Sequence, residues 1–515
     1  MNATPTEQPT DELVPESVIP PGHLPAMRYR DLPPPVPLRR MVGPSVILAG
    51  LALGSGEFIL WPYIVYRSGF VFFWACLLGV ATQYFINMEI TRWSLATGES
   101  ALTGFIRLSR KWTPLFLAFN VIPWFIPAWA LGAAQIVSWL IWGPQFDAEG
   151  HLLSPHAVPI AIGGMVLCGA ILTAGPVLYE TIEKTQLVLV STIMVSVVVL
   201  AAMLLKDRPD AIFAQISAVA TAGSPDFIPP AASGLSAVAL LGALAFAGAG
   251  GTLNLGQSNY IKDKGYGMGY YIGRITSPIT GQEEAITEVG YHFPDTASNR
   301  ERWRQWWRAA SVEHFFSFFV TCVVCLVLLT LVSYVLFYDR DGQATAAAER
   351  YGADLGFVWG EAAALERMFG GSVKLLFLLM GIAILLTTEF GVLDATSRIS
   401  TDLVKVAWLR DNARWTEGRL YYLFLWSTIG LGALLLAVKG ESVEALALFK
   451  ASSAMNGAVM FLYCAILLVL NRRCLPTAVR MSWPRMIVLA WAVLFFGAFT
   501  VWAGYGLIQK LLGSA

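Results

Sequence analysis

Charge is what this chain has least of. Only 14% of its 515 residues are Asp, Glu, Lys or Arg, and 35 bases balance 35 acids, so the formal net charge is zero. A polyanion-binding surface needs clustered positive charge, and its absence argues against a nucleic-acid partner. Five histidines and six cysteines are too scattered for a closed metal cluster or a disulfide framework. Cys322 and Cys325 have metal-ligand spacing, but they lie in a lipid-length apolar run without partner cysteines and read as packing. No nucleophile–base pair or phosphate loop stands out, so neither catalysis nor a cofactor is expected. No cleavable signal peptide is expected ahead of the first apolar run.

Apolar residues, in contrast, make up 56% of the chain. No soluble domain could hide so much apolar surface, so an all-α integral membrane protein in contact with the lipid bilayer is expected. Runs of roughly 20 apolar residues fall at 43–69, 70–91, 114–142, 158–175, 184–205, 234–260, 312–338, 372–397, 419–438, 443–470 and 484–508, which predicts eleven spans over residues 41–510. Residues 1–40, with Pro33-Pro34-Pro35 and Pro37, read as a disordered, flexible cytosolic tail. With the N-terminus inside, the inner loops hold Arg28, Arg30, Arg39, Arg40, Arg92, Arg107, Arg110, Lys111 and the arginines from 300 to 308. The outer loops hold few bases, so a multi-pass protein of the cell membrane is expected with a cytoplasmic N-terminus and an external C-terminus. In loop 262–311, Gln282-Glu283-Glu284 and the tryptophans 303, 306 and 307 among arginines read as an amphipathic segment at the headgroup level.

Two spans are interrupted. Gly54-Ser55-Gly56-Glu57 stands in the middle of the first, and Gly248-Ala249-Gly250-Gly251-Thr252 in the sixth, followed by Asn254 and Gln257. Unwound backbone at membrane depth is tolerated only where it lines a protein-walled cavity, and paired broken helices mark a transporter's binding site. The plainer alternative is that the glycines let neighbouring helices approach closely. Each group of five spans opens on such a segment, so the second group lies inverted relative to the first, residues 41–205 against 234–470, with 484–508 as an extra helix. Glu57 is an ionisable group at membrane depth, and such groups are candidates for function. Lys450, two turns into span ten, either snorkels to the outer interface or pairs with a carboxylate such as Glu57. Asn120, Glu389, Asp394, Ser452, Ser453 and Asn456 are further polar groups within spans.

Gly43-Pro44 at the start of span one, Thr97-Gly98 after span two and Tyr179-Glu180-Thr181-Ile182-Glu183 entering span five form an ordered set. With Asn254-Leu255 in span six and Val312-Glu313 entering span seven, they resemble the NRAMP family of proton-coupled divalent-metal transporters. The resemblance implies a LeuT-type fold of two inverted five-helix repeats with broken helices one and six, plus an eleventh helix. It departs at the site. Gly54-Ser55-Gly56-Glu57 replaces the family's Asp-Pro-Gly-Asn, and Gly251-Thr252-Leu253 replaces its Met-Pro-His. Span three carries no acid from Pro114 to Trp142.

Without the thioether only oxygen donors remain, which suit hard cations such as Mg²⁺ or Mn²⁺. The leading expectation is a secondary transporter, acting as a monomer, that moves a divalent metal ion by alternating access. Glu57, Thr252 and Asn254 would be metal ligands, and Gly54, Ser55, Gly56, Gly251, Gln257 and Lys450 would line the substrate site. The alternative is a Na⁺- or H⁺-coupled carrier of a small organic solute on the same fold. A third reading is a passive channel or a nutrient sensor.

Overall fold

The computed structural model describes residues 12–37, 41–148, 151–175, 178–220, 229, 233–275, 287, 289–346, 351 and 354–511, with the side chains of Ser55 and of residues 510 and 511 excepted. The stretch Gln282-Glu283-Glu284, Arg39 and Arg40 lie outside the described residues.

In chain order the helices are α1 (Pro44–Ser68), α2 (Phe73–Thr97), α3 (Ala101–Leu108), α4 (Trp112–Val121), α5 (Ala128–Trp142), α6 (Ala157–Ala174), α7 (Leu178–Asp207), α8 (Asp210–Ala220), α9 (Ala237–Ala245), α10 (Leu253–Lys264), α11 (Ala297–Phe337), α12 (Gly356–Phe369), α13 (Gly371–Trp408), α14 (Glu417–Lys439), α15 (Ala445–Arg473) and α16 (Trp483–Leu511). Among the described residues, eight helices are long and apolar enough to cross a membrane: α1, α6, α7, α11, α13, α14, α15 and α16. The other three expected spans are present in altered form. α2 is one 25-residue helix whose buried Gln83, Asn87, Glu89 and Arg92 lower its hydropathy. The third is split into α4 and α5 around Pro123 and Pro127, each of which removes a helix donor. The sixth is split into α9 and α10 around Phe246 to Thr252.

Span one is not broken. From Leu53 to Leu60 its backbone winds as a π-helix and then returns to α, so the hydrogen-bond ladder runs through Gly54 to Glu57. Here the close-approach alternative holds. A Cβ on Gly56 would stand 1.3 Å from the Phe246 carbonyl oxygen, so α1 lies directly against the end of α9.

Residues 12–37 are not the flexible tail that their composition suggests. β1 (Arg28–Tyr29) pairs in parallel with β4 (Tyr291–His292), while β2 (Gln145–Phe146) and β3 (Leu152–Leu153) form a separate hairpin. Leu32 N–H donates to Asn299 Oδ1 at 3.1 Å, and Trp306 Nε1 donates to the Pro33 carbonyl at 2.8 Å. Arg107 donates to the carbonyls of Pro21 and Pro25. Val14, Ile19, Leu24, Met27 and Leu32 are buried beneath this strap. Proline suits the position, because it offers a carbonyl to accept these bonds and no N–H that would need a partner. The expected amphipathic segment is likewise part of the body. Its tryptophans lie on the first turns of α11, where Trp303 and Trp306 are buried and Trp307 packs between the guanidiniums of Arg92 and Arg485, 4.0 and 4.9 Å from its ring centre.

The same basal end of the bundle is held by buried ions. Asp394 pairs with Arg398 one turn on at 2.8 Å and accepts from Tyr260 and Tyr421 at 3.0 and 2.8 Å. Arg398 also pairs with Asp263 of α10, so one guanidinium ties α10, α13 and α14 together. Removing one member of such a set strands the others. Arg398→Leu is expected to cost about 3–5 kcal/mol, seen as a large fall in melting temperature of the purified protein, and Asp394→Asn with Asp263→Asn in the same chain is expected to recover most of it.

His292 in β4 donates from Nδ1 to the Ala96 carbonyl at 2.9 Å, and burial lowers its pKa from the ordinary 6.5 to about 4. Between those values the unfolded chain binds a proton that the folded chain refuses, so stability rises with pH across that window and is lost as pH falls. The loss expected by pH 4 is about 3 kcal/mol. Thermal melts from pH 4 to 7 should show this slope, and it should flatten in His292→Asn.

Candidate functional site

The unwound stretch from Phe246 to Thr252 lies inside the bundle, with Gly250 and Gly251 at φ of 72° and 56°. A Cβ on Gly251 would stand 1.8 Å from Asn456 Oδ1, so both its conformation and its surroundings require glycine. Side chains take over the helix's hydrogen bonds. Gln83 Oε1 accepts from Gly250 N–H at 3.2 Å while its Nε2 donates to the Ala245 carbonyl at 2.8 Å. Asn456 Oδ1 accepts from Thr252 N–H at 3.4 Å. Trp124 stacks on Phe246 with ring centres 5.7 Å apart and donates from Nε1 to Thr252 Oγ1 at 2.8 Å. Trp129 bridges Trp124 and Phe449, closing an aromatic cover beside the break.

The residues singled out from the sequence do not form one coordination shell. Gly251 and Thr252 are in the break, with Thr252 engaged by Trp124. Asn254 donates to Gln83 Oε1 and Tyr463 Oη at 3.2 and 3.0 Å, and its own carbonyl oxygen is buried without a partner among the described residues. Gln257 donates to Ser45 Oγ at 3.3 Å, and its carbonyl oxygen is also without a partner there. Gly54 N–H donates to Thr388 Oγ1 at 3.0 Å, and Gly56 abuts Phe246. The backbone of Ser55 belongs to the π-helical turn, and its side chain lies outside the described residues.

Glu57 is fully buried, and its carboxyl meets the Cys322 thiol and no nitrogen or hydroxyl donor among the described residues. The ionisable groups around it are the thiols of Cys76, Cys322 and Cys325 on α2 and α11. Lys450 does not pair with it. Its ammonium lies 4.4 Å from the Tyr63 ring centre and donates to Tyr63 Oη at 3.3 Å, two turns further along α1. Among the described residues no three His, Cys, Asp or Glu side chains gather as a metal site. In this conformation Glu57 meets thiols, Thr252 meets Trp124, and Asn254 meets Gln83 and Tyr463.

Two parts of the site were not legible in the sequence as site residues. Gln83 carries no signal beyond being an amide in an apolar run. The other is a polar knot where α1 meets α11. Glu313 accepts from Ser45 N–H at 3.2 Å and from Ser45 Oγ, and Ser45 Oγ lies 2.8 Å from His314 Nδ1. Val312-Glu313 stood out only as a mark of resemblance, because its partner is 268 positions away.

No protein-family model matches the chain, and no curated protein matches it in sequence. Solved structures do. A histidine-to-alanine mutant of the Eremococcus coleocola manganese transporter superposes with a TM-score of 0.62 at 11% identity, covering 94% of this chain and 91% of that one. A glutamate-to-alanine mutant of the same transporter gives 0.63 at 11% identity over the same shares. Its complex with an aromatic bis-isothiourea substituted compound gives 0.58 at 11%, covering 92% and 93%. Over nearly its whole length the chain has the fold of these manganese-transporter structures, the LeuT-type membrane architecture.

Proposed function

We propose that this protein is an NRAMP-like secondary transporter that moves a divalent metal ion across the membrane by alternating access. The reading places its N-terminus in the cytoplasm and its C-terminus outside, and takes the monomer as the working unit. It rests on the fold shared with a manganese transporter, and one feature of the site carries it. Asn254 Oδ1, in the first turn after the break, is a buried carbonyl oxygen with no partner among the described residues. Gln257 Oε1, one turn on, is a second such oxygen. Buried carbonyls left without donors are costly unless something occupies them, and a dehydrated cation is such an occupant. Oxygen donors without sulfur favour Mn²⁺ or Mg²⁺ over softer ions. Half-helix ends and freed backbone carbonyls would complete the shell. In this conformation Glu57 stands outside it and faces thiols.

One observation favours the second reading, a Na⁺- or H⁺-coupled carrier of a small organic solute. Among the described residues there is no group of three His, Cys, Asp or Glu to hold a metal ion. Isothermal titration of the purified protein with Mn²⁺, Mg²⁺ and Ca²⁺ separates the two. Saturable binding of Mn²⁺ or Mg²⁺ is expected, weakened about tenfold or more in Asn254→Ala, since one lost ligand is worth at least about 1.4 kcal/mol. Glu57→Gln run beside it reports whether that carboxylate joins the shell in another state. No binding of any of the three ions would sink the metal reading and leave the organic solute.

A further inference from the structure

The knot at the start of α1 has a hydrogen-bond polarity that can be worked out atom by atom. Ser45 Oγ has a single proton, and a carboxylate can only accept, so that proton points at Glu313. His314 Nδ1, 2.8 Å from the same oxygen, must then be the donor, with its proton on Nδ1. Gln257 Nε2 donates to Ser45 Oγ as well. His314 Nε2 is left as a bare lone pair, buried and without a partner among the described residues, on a ring stacked between Tyr84 and Phe318. Glu313 meanwhile caps the first turn of α1. It accepts from the Ser45 amide and hydroxyl, and the Gly43 amide faces it too, so its charge sits on the positive end of the helix.

We propose that this knot is the binding site of a coupling proton, with His314 as the point of entry, Ser45 as the relay and Glu313 as the acceptor. The proposal rests on the transport reading above, in which one end of α1 must move. A metal ion does not suit the knot, because its atoms already stand at hydrogen-bond distance from one another and the oxygens of Glu313 are occupied by donors. A proton needs no space. It adds to Nε2 of His314; the Nδ1 proton passes to Ser45 Oγ; the Ser45 proton passes to Glu313 Oε2. His314 ends neutral with its proton on Nε2, Ser45 keeps one proton, and Glu313 ends as the neutral acid. The two hydrogen bonds of the relay survive with their directions reversed, those donated by Gln257 and by the Ser45 amide are unchanged, and one charge has been removed from the cap.

The charged acceptor is what binds the amides of α1 strongly, so neutralising it loosens that end of the helix. A cleft of about 370 Å³ is lined in part by Tyr179 and Glu183, the side chains against which Gly43 packs. Among the described residues, the titratable and charged groups facing the knot are Tyr179 and Glu183 of α7, Lys264 of α10, Tyr266 just beyond, and Tyr84 of α2. Glu183 and Lys264 are paired with each other at 2.5 Å and so add no net charge.

Hydrogen exchange at the amides of residues 43–47, corrected for the intrinsic effect of pH, tests this on the full chain in detergent between pH 5.5 and 8. Protection in the unmodified protein is expected to fall about tenfold toward the acid end, the size of a lost charged cap. Glu313→Gln, neutral at every pH, should show the low value throughout. His314→Phe, which fits between Tyr84 and Phe318 but carries no proton, should reach the same low value, but more slowly than the unmodified protein after a jump from pH 8 to 5.5, because the relay sets the rate of protonation. Should Glu313→Gln fail to fold, Ser45→Ala serves, since it cuts the relay yet leaves the amide caps, and it too should loosen slowly after the jump. Protection that ignores pH in the unmodified protein overturns the proposal, as does a His314→Phe protein that loosens as fast as the original. No metal enters this measurement, so its failure and the failure of metal binding are separate results.

Discussion

The amides between Ala245 and Leu253 belong to no helix and lie where water does not replace lost hydrogen bonds, and much of the structure answers to that constraint. Gln83 is an amide on an apolar helix because it must accept from Gly250 and donate to Ala245 at once, which fixes α2 against both halves of span six. Asn456, from α15, accepts from the Thr252 amide. Gly56 lets α1 touch the Phe246 carbonyl, and Trp124 reaches Thr252 from the turn between α4 and α5. Four separate segments are positioned by one short stretch of backbone.

Glycine-rich interruptions in spans one and six looked equivalent on paper and came out different. In span six Gly250 and Gly251 adopt positive φ and the helix stops. In span one the ladder survives by winding wider, and the glycines serve contact. The direction of Glu57 was therefore not legible. A face assigned at a regular α-helical spacing fails once the turns widen, and the carboxyl meets Cys322 instead of the break. What local pattern does record shows in the structure: most of the apolar lengths and the second break. What it does not record are partners far apart in the chain, such as Ser45 with Glu313 or Leu32 with Asn299.

Scarce charge is also unevenly used. Described ions that are buried stand mostly at the basal end and in pairs: Arg398 with Asp394 and Asp263, Arg107 with Glu99, and Arg92 and Arg485 with Glu89. The far end of α1 is held by rings, with Tyr66 against Phe337 and Phe357, and Phe70 against Tyr334. Ion pairs have directions and discrete partners, whereas packed rings slide and tilt at smaller cost. The two ends of α1 are thus held by different kinds of contact.

The strap has a consequence for how the protein is made. Its carbonyls and apolar side chains dock on β4 and the first turns of α11, and Leu32 waits for Asn299, 267 positions later. A ribosome finishes the first ten helices before that surface exists. The contacts of Pro21 and Pro25 with Arg107 of α3 can form early, whereas those of Arg28 to Pro33 with β4 and α11 close only in late assembly. The second half of the strap is among the last pieces to find its place.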